Sequence, residues 1–255
     1  MVRRLENKVI FISGGNSGIG LACAQEFVSE GAEVIILARS AEKADEALAQ
    51  INGKASAVLG DVADLASLKR AFDEVADRYG QLDGLVISAG IAIPGALGDV
   101  DAETYDSMFN VNVKGAFFSV QYAQSLLQRG SSVILVSSCL HEMGMAGMSV
   151  YSASKAALRS LARSLTPDLE AIGGRINVIS PGPIRTEVLK KSGMTEEQVD
   201  AQFEVFNQNI AAGRVGLPEE IAKTALFLAS DDSSFLYGAD IQADGGLNQT
   251  RWPRG

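Results

Sequence analysis

The segment Val9-Ile10-Phe11-Ile12-Ser13-Gly14-Gly15-Asn16-Ser17-Gly18-Ile19-Gly20 decides the fold. Its first four residues are apolar without alternation, the pattern of a short strand covered on both faces. Glycines follow, and behind them a helical pattern runs over Gly20–Ser29. Gly14 permits a tight turn, Gly18 lets backbone approach a diphosphate, and Gly20 allows close helix–strand packing. The helix N-terminus offers free N–H groups and positive dipole to an anion. A ligand-free turn would satisfy the glycines alone, but a strand before them and a helix after favour a dinucleotide site, with Asn16, Ser17 and Ile19 in its loop.

The same alternation continues outward. Further apolar runs lie at Val34–Leu37, Ala57–Leu59, Leu85–Ser88, Val133–Val136, Ile176–Ile179 and Ala239–Gln242. Amphipathic stretches at Ala41–Ile51, Leu65–Tyr79, Ala102–Gln128 and Ser152–Ala171 separate them, and Pro218-Glu219-Glu220 reads as the start of a helix through Ala229. The expectation is an α/β fold: a doubly wound, Rossmann-type parallel sheet of about seven strands with helices on both faces, in a single domain over 1–255. The first three strand-to-strand intervals are minimal crossovers and the last three carry extra chain. Residues up to about 130 should therefore hold a generic cofactor, and 131–255 should shape the substrate site, beyond the carboxyl ends of the strands.

Composition excludes several classes. The 255 residues are 47% hydrophobic and 21% charged, and 22 Lys+Arg against 31 Asp+Glu give a net charge of −9, which opposes nucleic-acid binding. Two cysteines, Cys23 and Cys139, cannot build a disulfide scaffold, and a single histidine, His141, does not suggest a metal site. The four apolar residues after Lys8 are too few for a signal-peptide core, and no run approaches the ~18 of a membrane span. A cytoplasmic location is expected.

The second strand ends Leu37-Ala38-Arg39-Ser40. A carboxylate about 20 residues beyond the glycine loop would bind a ribose 2′-OH, as in NAD sites, and would repel a 2′-phosphate. Ala38 occupies that region and Arg39 follows, so a guanidinium is available to pair with a 2′-phosphate and NADP(H) is favoured over NAD(H).

Tyr151-Ser152-Ala153-Ser154-Lys155 puts a phenol and an ammonium four residues apart, on one helix face. A phenol titrates near pH 10, and a neighbouring ammonium and a nicotinamide cation favour phenolate; a drop of about 3 units corresponds to about 4 kcal/mol. Such a phenol can exchange a proton with a carbonyl or alcohol oxygen. Ser138 ends the fifth strand, thirteen residues earlier, where a hydroxyl can donate to the same oxygen.

With these residues the sequence resembles the short-chain dehydrogenase/reductase family, in its branch of about 250 residues, from Lys8 to about Gly246. The likeness rests on Gly14-x-x-x-Gly18-Ile19-Gly20, Asp61-Val62, Ala89-Gly90, Asn112, Ser138, Tyr151 with Lys155, and Pro181-Gly182. It implies that Tyr151 is the acid/base and that Lys155 tunes it and holds the nicotinamide ribose. It further implies that Ser138 polarises the carbonyl and Asn112 holds a water that relays protons to Lys155. Asp61 and Val62 look like adenine contacts, while Pro181, Gly182, Ile184 and Thr186 resemble the nicotinamide side. Two departures stand out: Ser88 replaces the family's usual Asn, which braces the sheet, and Ser17 stands where many NADP enzymes of the family carry Lys or Arg. The implied activity is NADP(H)-dependent interconversion of ketones and secondary alcohols. Alternatives are a 3-oxoacyl-thioester reductase and a non-catalytic NADP(H)-binding sensor or scaffold; the enoyl reductases of the family separate Tyr and Lys more widely.

Lesser signals complete the reading. No nucleophile-elbow pattern surrounds Ser138, so His141 reads as a residue bordering the cleft or facing solvent, not as a hydrolase partner. Cys139 reads as packing and Asp231-Asp232 as a solvated loop. Met143, Met145 and Met148 suggest an adaptable wall for bulky apolar substrates, and Glu187–Ala212 is long enough for a lid. The resemblance implies a homotetramer built on the two long helical stretches and the last strand, and Trp252 in the tail would suit burial against a neighbouring subunit.

Overall fold

In the computed structural model, which describes residues 3–186 and 195–250, seven parallel strands form one sheet in the order β3-β2-β1-β4-β5-β6-β7. They are β1 (Val9–Ser13), β2 (Glu33–Ala38), β3 (Ala55–Leu59), β4 (Leu82–Ile87), β5 (Leu127–Val136), β6 (Arg175–Pro181) and β7 (Asp240–Ala243). Alternation of side chains divides each strand between two cores. Phe11, Ile35, Leu85 and Val133 face one way, onto α3 (Leu65–Tyr79), α5 (Gly115–Ala123) and α6 (Ser149–Ser164). Ile10, Ile36, Val86 and Ile134 face the other, onto α1 (Gly18–Ser29) and α9 (Pro218–Ala229). Burial on both faces explains the apolar runs of inner strands such as β1 and β2, whereas the edge strand β7, Asp240-Ile241-Gln242-Ala243, is only half-buried. The order of strands reverses between β1 and β4, which opens a crevice at their carboxyl ends.

The helix α3 matches its sequence pattern because both ends are chemically marked: the Asp64 carboxylate accepts from the N–H groups of Ala66 and Ser67 at 2.9 and 3.2 Å, and Gly80 caps the other end with φ 71°. The stretch expected as one helix over Ala102–Gln128 is instead α4 (Ala102–Phe109), a π-helical turn (Asn110–Lys114) and α5. Its last residues leave the helix because Leu126 and Leu127 are buried beside β4, where Leu82 N–H donates to the Leu126 carbonyl at 2.8 Å. Likewise Ser152–Ala171 divides into α6 and a short α7 (Thr166–Glu170), with Pro167 in the first turn of α7. Between β2 and β3 lies α2 (Ala41–Leu48), and after β6 comes α8 (Glu196–Asn209). No helix among the described residues is long and apolar enough to cross a membrane.

Candidate active site

The glycine loop joins β1 to α1 beside the crevice. Gly14 has φ 68°, and a Cβ on Gly20 would lie 2.2 Å from the Gly14 carbonyl oxygen, so the loop closes this tightly only without a side chain. The Ser17 hydroxyl makes no cap on α1, which leaves the first N–H groups of the helix to a ligand. A Cβ on Gly18 would reach Thr186 Cγ2 at 3.5 Å, so the loop faces the chain that leaves β6. Uncapped N–H groups in a glycine cradle suit the diphosphate of a dinucleotide. At the end of β2, Arg39 is exposed and makes no ion pair among the described residues. At the end of β3, the Asp61 carboxylate accepts from Ala63 N–H at 2.9 Å, which fixes the turn, and Val62 is buried where a Cβ on Gly115 would strike its carbonyl at 2.8 Å.

Helix α6 carries Tyr151 and Lys155 towards the end of β5. The Lys155 ammonium is buried, donates to the Val136 carbonyl at 2.9 Å, and sits 5.7 Å from the centre of the Tyr151 ring. Burial holds its pKa down at about 8. Burial also pushes the Tyr151 phenol up, while hydrogen bonding with the Ser138 hydroxyl pulls it down less strongly. In the protein alone desolvation is the largest influence on the phenol, whereas the expected drop invokes a bound nicotinamide cation together with the ammonium. Ser137, next to Ser138, donates from its hydroxyl to the Lys155 carbonyl at 2.9 Å and ties β5 to α6.

Asn112 stands in the π-helical turn, a widening that helices often use at functional sites. Its Oδ1 accepts from Ile91 N–H at 2.8 Å, and its Nδ2 donates to the Ile91 carbonyl at 2.9 Å and to Ser154 Oγ at 3.0 Å. Ser154 in turn donates to the Tyr151 carbonyl at 2.7 Å. A Cβ on Gly90 would lie 3.3 Å from both Asn112 Oδ1 and Lys155 Nζ, so Gly90 keeps open the space between them. Beside it, Ala89 N–H points to Ser13 Oγ at 3.4 Å and Ser88 N–H donates to the Ser13 carbonyl at 3.2 Å. Ser13 thus connects β1 to β4 where Ser88 lacks the longer Asn side chain.

On the remaining side, Pro181 ends β6 and Gly182 lies so close to the last loop that a Cβ would meet Asp244 Cα at 2.7 Å. Ile184 pairs with Gly216 in an isolated parallel bridge. Thr186 thus stands beside the glycine loop and Gly182 against Asp244, and the loop continues into residues outside those described.

Comparison with known proteins agrees with this arrangement. A family described as Enoyl-(Acyl carrier protein) reductase matches residues 14–248. Oxidoreductase asL5 of Sarocladium schorii is 41% identical, covering 97% of this chain and 98% of its own length. The NADP-dependent (R)-specific alcohol dehydrogenase of Lentilactobacillus kefiri is 33% identical over 96% and 98%. A solved short-chain dehydrogenase/reductase from Serratia marcescens superposes with a TM-score of 0.87 at 32% identity, over 96% of this chain and 99% of that one. The chain belongs to the short-chain dehydrogenase/reductase family. It is an oxidoreductase of the kind that uses NAD(P)(H), and the fold follows the family's seven-stranded pattern.

Within this short-chain dehydrogenase/reductase, several residues differ from their sequence reading. His141 does not face solvent: its side chain is 5% exposed and its Nε2 lies 2.8 Å from Asp240 Oδ2. Glu142 is the third member of a group with His141 and Asp240 whose possible ligand atoms lie within 4.8 Å of one another. The Arg159 guanidinium, 3.6 Å from the same Asp240 oxygen, already supplies positive charge there, and Glu142 is held by Gln242. The group is a set of buried polar contacts centred on Asp240, with Arg159 as its cation. Cys139 is buried and its thiol is pushed up to about 11, chiefly by burial and then by the Asp244 charge, which makes it inert. Ser154 and Asp240 were not singled out by sequence reading. The signal for Ser154 was its place between Tyr151 and Lys155; for Asp240 there was none, because its partners lie 60 to 100 residues away in the chain.

Proposed function

We propose that this oxidoreductase interconverts a ketone and a secondary alcohol with NADP(H). The reading is supported by one juxtaposition: Tyr151 interacts with Ser138 and lies beside Lys155, and the space next to Gly90 is flanked by Lys155 and Asn112, just beyond the carboxyl ends of β4 and β5. Gly14, Asn16, Ser17, Gly18, Ile19 and Gly20 would hold the diphosphate, Asp61 and Val62 the adenine, Pro181, Gly182, Ile184 and Thr186 the nicotinamide side, with Ala89 and Gly90 also against the cofactor. The bound nicotinamide supplies or accepts the hydride. In the reducing direction Tyr151 gives its proton to the carbonyl oxygen, Ser138 donates a hydrogen bond to that oxygen, and Lys155 stabilises the phenolate that remains. Asn112, fixed by three hydrogen bonds to Ile91 and Ser154, would hold a water that relays protons to Lys155.

Arg39, exposed beside Ala38, supports NADP(H) over NAD(H). Met143, Met145 and Met148 support a bulky apolar substrate, with Met145 partly open to solvent. Of the expected lid, the described part is α8, whose Val199 and Phe203 pack with Ile210 and Val215 in a small core of their own. A single domain in the cytoplasm is the companion reading. A homotetramer is supported by a largely apolar hollow of about 350 Å³ lined by Phe109, Val113, Phe117, Phe118 and Leu161, with Asn110 and Lys114 at its wall. Exposed Tyr105, stacked on Phe109 at 4.7 Å, lies on the same helices. A 3-oxoacyl-thioester reductase is the second reading, favoured by 36% identity to the FabG of Thermotoga maritima. A panel of aryl ketones, small ketoacids and 3-oxoacyl thioesters, each with NADPH and NADH, tests these readings. Highest kcat/KM on bulky ketones with NADPH is expected, and a preference for the charged ketoacids would overturn the substrate class.

A further inference from the structure

We propose that Asp240 and His141 form a positioning clamp for Ser138, a role that rests on the reaction proposed above. Ser138 begins the 3-10 turn Cys139–His141: its Oγ accepts from Leu140 N–H at 3.2 Å and its carbonyl accepts from His141 N–H at 3.1 Å. The turn is thus closed on itself, and its outer end is the His141 ring. That ring is held by Asp240, and the two side chains are 5% and 9% exposed. Nε2 and Oδ2 lie 2.8 Å apart, and neither atom makes a hydrogen bond among the described residues, so each is the nearest polar neighbour the other has in this buried spot.

Asp240 also reaches the other parts of the site. Its Oδ1 accepts from Ser180 Oγ at 2.7 Å, and Ser180 immediately precedes Pro181 on β6. Its Oδ2 faces Arg159, 3.6 Å away on α6, one turn beyond Lys155 and two beyond Tyr151. Arg159 donates in addition to the Gly238 carbonyl at 2.7 Å, just before β7. One carboxylate therefore ties the turn of Ser138, the helix of Tyr151 and Lys155, and the strand leading to the nicotinamide side. From the opposite flank Asn248 Nδ2 donates to the Cys139 carbonyl at 2.7 Å, and Asp244 holds Asn248 N–H at 2.9 Å. A hydroxyl that must meet the substrate oxygen together with a phenol tolerates little displacement; a shift of about 1 Å can cost about a hundredfold in rate. The clamp supplies that rigidity to a loop residue that lies outside both β5 and α6.

The test compares His141→Phe, which keeps a ring but removes the donor, with His141→Gln, whose amide can donate from the Nε2 position, and with Asp240→Asn. Each is measured for kcat and KM on the best ketone, NADPH affinity by fluorescence, and amide hydrogen exchange of the 138–142 segment. His141→Phe should lower kcat at least tenfold with NADPH affinity unchanged within twofold and with faster exchange confined to that segment. His141→Gln should restore most of kcat and of the protection. Unchanged kcat in His141→Phe, a loss that follows NADPH affinity, or a loss that His141→Gln fails to reverse would each overturn the clamp. Should His141→Phe fail to fold, the pair His141→Gln and Asp240→Asn decides: near-native kcat in the first and a tenfold loss in the second are expected, and equal values overturn the proposal. Tyr151→Phe is run alongside. If it keeps its turnover, the proposed reaction fails, while the exchange data still report on the clamp.

Discussion

Lys155 Nζ lies 5.7 Å from the centre of the Tyr151 ring and spends its hydrogen bond on the Val136 carbonyl at 2.9 Å. The two groups share a helix face, yet burial acts on both in opposite senses, holding the ammonium at about 8 and raising the phenol. A lysine whose folded pKa lies below its unfolded value of about 10.4 disfavours folding when it is charged. Between about pH 8 and 10.4 the unfolded chain binds the proton and the folded one does not, so stability from this group rises with pH across that window and is flat below it. Lys155→Met should remove a cost of a few kcal/mol at pH 7, offset in part by the lost bond to Val136, and should flatten the rise. Denaturant unfolding of both proteins at pH 7 and 10 checks this, and an equal slope in the variant would contradict the assignment. The same variant should lose turnover.

Tyr151→Phe retains the buried ring and removes the proton donor. The fold and NADPH binding should persist while kcat falls by about 10²–10⁴. Retention of more than about a tenth of kcat would show that another group moves the proton.

Arg39→Asp places a carboxylate where a 2′-phosphate would bind. The unmodified enzyme should favour NADPH over NADH by at least about tenfold in kcat/KM, about 1.4 kcal/mol, and the variant should erase or reverse that preference. Equal efficiency with the two cofactors before mutation would reject NADP(H) as the favoured partner.

Gly20→Ala introduces a Cβ 2.2 Å from the Gly14 carbonyl oxygen, a backbone atom that cannot rotate away. The loop must open, with an expected cost of about 1–3 kcal/mol and a larger proportional loss in NADPH affinity than in stability. Gly80→Ala, where the Cβ meets nothing within 4 Å but φ is 71°, is the control: it should lower stability modestly and leave NADPH affinity intact. Equal NADPH affinity in Gly20→Ala and the parent would remove the cradle from the binding account.

Light scattering of the full chain and of a version ending at Gln249 tests assembly. A tetramer is expected for both chains if α4, α5 and α6 provide the contacts, whereas dissociation on truncation would give Trp252 the role expected from sequence. The described part of the tail favours the first outcome, because Asn248 is already bound to Cys139 of its own chain at 2.7 Å; Trp252 itself lies outside the described residues. A monomeric full-length protein would defeat the tetramer.

Much was legible in the order of residues. The inner strands could be read from apolar runs, because a parallel sheet covered on both faces needs no polar alternation there. The glycine loop and the Tyr151–Lys155 pair were legible because turn geometry and helical periodicity are local, set by residues within a few positions of one another. Long-range competition was not legible. The end of α5 gave way to β5 because Leu126 and Leu127 found β4, and helical periodicity carries no information about that partner. The opposite pKa shifts of Tyr151 and Lys155 depend on how much water the assembled walls exclude, which no spacing encodes. His141 and Asp240, 99 positions apart, are neighbours only because β6 brings β7 beside the turn after β5. Local chemistry lay in the sequence; distance, burial and partnership across the sheet came from the tertiary structure.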